Sequence, residues 1–274
     1  MKGSMAALCA AMLAAGCSAD DKADSKGVAQ YAEDLGTSAA SASASASGGG
    51  AKAVAESNDV WEFKFAYPAA AGKIAPLRAM LDARQVKALD ELKAQAIEGR
   101  ATADEQGFPF NPYALEVEWK TVTDLPTWLS LSSDFYSYTG GAHGNSGSEG
   151  LLWDKQANKA LKPESLFVSV AALEAAVKPA FCAALNKQRA EKRQEPVPEP
   201  TGGDDWSVAC PGIAETTVIL GSTNSRTFDR IGFLIGPYVA GPYAEGSYEV
   251  TLPVTKAVKA AVKPAFADAF TAVR

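Results

Sequence analysis

Two runs of alternating apolar and polar residues, 113–123 (YALEVEWKTVT) and 128–138 (WLSLSSDFYSY), constrain this chain more than any other feature. A period of two puts one face of each segment on a core and the other in solvent, so the runs suggest paired antiparallel strands. A glycine-rich stretch, GGAHGNSGSEG, follows at 140–150, and a further strand is expected at 149–154. Upstream, the aromatic-rich segment from Val60 to Tyr67 stops at Pro68 and reads as a strand. Residues 75–98 read as a helix. Leu77, Leu81, Ala88, Leu92 and Ala96 fall on one stripe, Pro76 suits the first turn and Gly99 suits the stop.

The second half repeats the style. A helix is expected over 169–191, with Val170, Leu173, Val177, Phe181 and Leu185 in register. Pro179 lies inside it and predicts a kink or a late start. Strands are expected at 215–223, 230–236 and 247–252, and a last helix at 254–272 contains Pro264. The heptapeptide AAVKPAF occurs at both 175–181 and 260–266, but the flanks differ, so it reads as coincidence or a shared helix-packing demand. Strands then helix, twice over, imply an α+β fold. The expected arrangement is two small packed units of mostly antiparallel sheet with helices, at 59–168 and 169–274.

Residues 1–16 resemble a lipoprotein signal peptide. A basic n-region is followed by an apolar run of 11 residues at 5–15, too short to span a bilayer as a mature helix. Leu13-Ala14-Ala15-Gly16-Cys17 then places small side chains before a cysteine, whose thiol would accept the lipid. Residues 17–58 read as that lipidated cysteine and a disordered tether. The Ser/Ala/Gly segment around 37–53 has almost no large apolar residue and cannot offset its ordering entropy. A lipid anchor at Cys17 is the expected membrane partner. Ser18 rather than Asp after it resembles the outer-membrane sorting pattern, giving a periplasm-facing protein of a Gram-negative envelope.

Cysteine usage agrees with export. With Cys9 in the signal and Cys17 lipidated, Cys182 and Cys210 remain, and in an oxidising compartment they are expected to form a disulfide. They lack the CxxC spacing of a redox-active pair. Thirty-two acids against 26 bases leave no basic face for nucleic acid. One histidine and four cysteines give no motif for a metal or cofactor, so neither is expected.

The segment Tyr136-Ser137-Tyr138-Thr139-Gly140-Gly141-Ala142-His143-Gly144-Asn145, followed by Leu161 and Ser165-Leu166-Phe167, resembles a pair of envelope domains of unknown function. These occur in the ectodomain of RsiV-type anti-sigma factors and beside the catalytic domain of PdaC-type peptidoglycan deacetylases. The stretch from Ile235 to Gly246, ending in Val250-Thr251-Leu252-Pro253, is similar to the second signature of that pair. The resemblance covers roughly 60–270. It implies two packed α+β units, exported and tethered, without implying a reaction. In RsiV these domains bind lysozyme, and in PdaC the chemistry lies in a separate domain.

The lone histidine, His143, has two readings. It would serve as a base near Ser137, Ser146 or Asp134, or it holds turn carbonyls in a loop where Gly140, Gly141 and Gly144 permit positive φ. The residues favour the structural reading, and no GxSxG elbow exposes a serine. Thr227-Phe228-Asp229 is similar to the start of a deacetylase TFDDG motif, but Arg230 and Ile231 break it and the paired histidines are missing. Tyr238, Tyr243 and Tyr248 recur at five-residue spacing among Gly and Pro. They either stack on sugars or a protein partner, or close a core rim. The candidate binding set is therefore Tyr138, Gly140, Gly141, His143, Asn145, Tyr238 and Tyr243, with no catalytic residue assigned. The expected function is a non-enzymatic binding module for a wall hydrolase such as lysozyme, or for peptidoglycan. The alternatives are a hydrolase or esterase using His143, and a structural envelope lipoprotein.

Overall fold

The structure, a computed structural model, describes residues 49–198 and 207–273. The signal peptide, Cys17 and most of the expected tether lie outside the described residues. Among the described residues no helix is long and apolar enough to cross a membrane.

The fold is α+β, with two sheets. Strands β1 (Lys52–Ser57) and β2 (Trp61–Tyr67) form an antiparallel pair, and a short helical turn leads into helix α1 (Ala75–Gln106). Helix α1 crosses over to β3 (Tyr113–Asp124), which runs parallel to β2. Strands β4 (Trp128–Tyr138), β5 (Asn145–Asp154) and β6 (Lys159–Leu161) then add in order, all antiparallel. Helix α2 (Val170–Arg193) leads to a second, antiparallel sheet of β7 (Thr217–Gly221), β8 (Arg230–Ile235) and β9 (Tyr248–Pro253). A short helix α3 (Lys256–Ala260) and a 3₁₀ segment (Pro264–Ala269) close the chain.

Alternation does what the sequence requires of it. Phe63, Phe65, Val117 and Trp119 point to one side of the first sheet and are buried under α1, together with its stripe Leu77, Leu81, Ala88, Leu92 and Ala96. Toward the other side, Trp128 and Leu152 join a core with Leu173, Val177, Phe181 and Leu185 of α2 and Phe233, Ile235 and Val250 of the second sheet. The two sheets thus share apolar packing.

Four elements differ from expectation. The fold starts at Lys52, inside the segment read as tether, because β1 pairs along β2 and Lys52 bonds Asp82 of α1 at 2.7 Å. Helix α1 runs through Gly99 to Gln106. A Cβ at Gly99 would lie 2.4 Å from the Tyr113 hydroxyl, so this glycine serves close helix–strand approach, and Gly107, at φ 72°, ends the helix instead. Strand β5 begins at Asn145, earlier than expected, since Gly147 and Gly150 make room for the Phe135 ring and the Val218 carbonyl rather than a loop. The last helix is broken. Lys263 is extended before Pro264, and Val262 pairs with Phe167.

Cys182 and Cys210 form a disulfide with Cα atoms 5.6 Å apart across a separation of 28 residues. A loop of that length contributes about 3–4 kcal/mol in the chain-entropy model.

Candidate functional site

The TGGAHG segment is the hairpin loop between β4 and β5, closed by the pair Ser137–Asn145. Gly140 and Gly141 turn it with φ of 103° and 86°, values that an L side chain rarely adopts. Tyr138 steadies the base, donating to the Gly141 carbonyl at 3.2 Å and accepting from Asn111 Nδ2 at 3.3 Å. The buried Gly144 carbonyl is the hub. It accepts from His143 Nδ1 at 2.9 Å and from the Tyr243 hydroxyl at 3.1 Å. A Cβ at Gly144 would strike the Tyr136 ring at 2.4 Å, so glycine is needed where that ring lies over the chain.

Tyr243 comes from the connection between β8 and β9, 100 residues along the chain. The structure therefore brings His143, Tyr238 and Tyr243 together. The His143 and Tyr243 rings stack with centroids 4.1 Å apart and planes inclined by 20°. Tyr238 lies against both, at 6.3 Å from His143 and 5.6 Å from Tyr243. Its hydroxyl is 3.3 Å from His143 Nε2. A carbonyl oxygen only accepts, so Nδ1 carries the hydrogen toward Gly144 and Nε2 is left to accept from Tyr238. Both ring nitrogens are engaged within the protein.

The partners considered for a catalytic His143 make no hydrogen bond to it. Asp134 accepts from Lys120 at 2.9 Å and from Ser148 at 3.3 Å. Ser137 and Ser146 sit opposite Asn145 and Tyr136 in the ladder. Among the described residues no carboxylate hydrogen-bonds His143, and none of their His, Cys, Asp and Glu side chains gather into a group of three or more that would hold a metal. Asn145 is exposed at the start of β5 and takes no part in the ring cluster.

The connection carrying the tyrosines is held by the C-terminal end of α2. Arg193 makes a two-pronged bond to Glu245, at 2.9 and 3.0 Å, and reaches the Ser207 carbonyl. Arg189, fully buried, donates to the carbonyls of Ala240, Val208 and Ala209. Burial alone would raise the Glu245 carboxyl, but bonds from Arg193 and Tyr248 overcome it and hold the group below its ordinary value. Burial, followed by the hydrogen bond to Glu245 and then its charge, pushes the Tyr248 phenol up to about 12. A Cβ at Gly241 would lie 2.2 Å from Glu245, so the pair also dictates that glycine. Arg189, Arg193 and Glu245 escape a sequence reading, because nothing in their spacing joins a helix end to a loop some 50 residues on.

Residues 54–146, about a third of the chain, match the family described as Deacetylase PdaC. The matched segment reaches from β1 through the hairpin loop with His143, while Tyr238 and Tyr243 lie outside it. The chain is also similar to the crystal structure of a DUF3298 family protein from Pseudomonas aeruginosa PAO1, with 17% identity, a TM-score of 0.47, and coverage of 80% of this chain and 96% of that one. A DUF3298 family member from Bacteroides fragilis NCTC 9343 gives 16% identity, a TM-score of 0.44, and coverage of 74% and 90%. No curated protein matches the chain in sequence.

Proposed function

We propose that the chain is an exported binding module of the cell envelope, anchored by lipid at Cys17 to the outer membrane and facing the periplasm. Its ligand is a wall hydrolase such as lysozyme, or peptidoglycan, and it performs no bond-making step of its own. One observation carries this reading. His143, Tyr238 and Tyr243, from two distant loops, form one surface cluster in which the imidazole nitrogens are satisfied internally. A general base needs a nitrogen free to face its substrate. A binding platform needs fixed, partly exposed rings on a rigid support, and the Arg193–Glu245 pair supplies that support.

The test is a calorimetric titration of the mature, full-length protein with lysozyme and with soluble muropeptides. Saturable binding to one of them, weakened about tenfold by Tyr238→Ala, is expected. Turnover of cell-wall fragments by the wild type that disappears in His143→Ala would overturn the reading in favour of a hydrolase.

A further inference from the structure

The chemistry of the cluster narrows the ligand. Tyr238 adopts φ 66°, in the left-handed region, yet the residue is 53% exposed. Among the described residues, the other non-glycine residues in that region are Asn158, Gln194 and Ser225. A bulky aromatic there is strained, and the residue nevertheless stays largely exposed beside His143 and Tyr243. Tyr243 and His143 direct their polar atoms inward to Gly144, and the Tyr238 hydroxyl meets His143. What the cluster offers outward is therefore mainly ring surface. Tyr136, 37% exposed, extends that surface over Gly144.

Two carboxylates on the elements that carry the cluster are paired. Asp134 is paired with Lys120, and Glu245 with Arg193. Ser146 is exposed, and its side chain makes no hydrogen bond among the described residues. Ser146 sits opposite Tyr136 in the ladder. Uncharged donors and acceptors beside π faces suit a neutral ligand with C–H faces and hydroxyl or amide edges.

We infer that this surface binds a neutral glycan, with a pyranose ring stacked on Tyr238 and its neighbours and an equatorial hydroxyl or acetamido group bonded to Ser146. The inference rests on the binding-module reading and specifies its ligand. The probe is chitotetraose, an uncharged N-acetylglucosamine oligomer, titrated into the mature full-length protein and followed by calorimetry and by saturation-transfer NMR. Wild type binds saturably, with transfer to the sugar ring protons. Tyr238→Ala weakens binding by about tenfold or more, whereas Tyr238→Trp keeps or tightens it. Tyr238→Gly relieves the backbone strain and removes the ring, so it folds at least as well as Tyr238→Ala and still loses the sugar. Binding unchanged in Tyr238→Ala overturns the inference, as does the absence of saturable binding to wild type. Lysozyme binding that depends on Tyr238 without sugar binding removes the glycan and leaves the module. Binding of neither removes both.

Discussion

Asp229 is 4% exposed and still carries its charge. Burial alone would raise its pKa. The Thr223 hydroxyl and backbone N–H, at 2.6 and 2.8 Å, overcome that penalty, with help from Arg230 and the Asn224 amide, and hold it low. The carboxylate thus organises the turn 222–227 between β7 and β8, which gives the Thr227-Phe228-Asp229 tripeptide a structural role. Its neighbour Phe228 is buried and lies against Phe270 and Trp128. Replacing Asp229 with Ala removes the shared acceptor of these part-buried bonds and should cost about 1–2 kcal/mol. Urea unfolding of the variant at neutral pH measures that loss, and Asp229→Asn should recover part of it. Ligand binding at His143, which shares no partner with Asp229, should be unchanged once the variant is folded.

At the scale of elements, the tyrosine-bearing connection depends on one ion pair. Arg193 and Glu245 are both largely shielded from solvent, so their bond resists screening better than the surface pairs that join β2 to β3 and β3 to β4. The Glu245 carboxyl is held below its ordinary value of 4.5. The stability that it contributes is therefore present above about pH 4.5 and is lost as pH falls through the lowered value. Glu245→Gln should lower the unfolding free energy by about 1–3 kcal/mol at pH 7. The gap between variant and wild type should shrink as the pH is taken from 5 to 2.5 in denaturant titrations. A gap that stays constant would place the contribution in packing instead. Elements of this kind divide what a sequence discloses from what it hides. The alternating runs of β3 and β4 and the α1 stripe are legible because their periodicity is local. The heptapeptide AAVKPAF is not. At 175–181 it lies wholly inside α2, and at 260–266 it ends α3, extends, and opens a 3₁₀ turn. The same seven residues obey different neighbours, and the second copy is drawn out by the bridge from Val262 to Phe167. The candidate site was readable as two signatures, the GGAHGN loop and the Tyr-Gly-Pro connection. Their union, and the arginines that hold it, arise only from the packing of distant segments.

At the scale of the molecule, the distance between those two signatures is set by how the second sheet sits on the first. Strand β7 lies against β5 through a contact of backbone on backbone. A Cβ at Gly150 would be 2.4 Å from the Val218 carbonyl oxygen, and the Thr217 hydroxyl donates to the Ser148 carbonyl at 2.8 Å beside it. Neither side of that contact has a flexible side chain able to yield, so Gly150→Ala must push the sheets apart or bend β5. The expected cost is about 3 kcal/mol, at the upper end for an overpacked site. Gly50→Ala, where an added Cβ meets nothing within 4 Å, is the control and should change stability by less than about 0.5 kcal/mol. The consequence reaches the ring cluster, because His143 rides on the β4–β5 hairpin and Tyr243 on the β8–β9 connection. A displacement between sheets loosens the stack whose rings now lie 4.1 Å apart. Folded Gly150→Ala should therefore bind ligand more weakly than wild type, although Gly150 touches none of the three rings. Comparing unfolding and ligand titrations for the two glycine variants checks both effects. Loss of stability with intact binding would mean that the hairpin and the connection hold each other in place without help from the sheets.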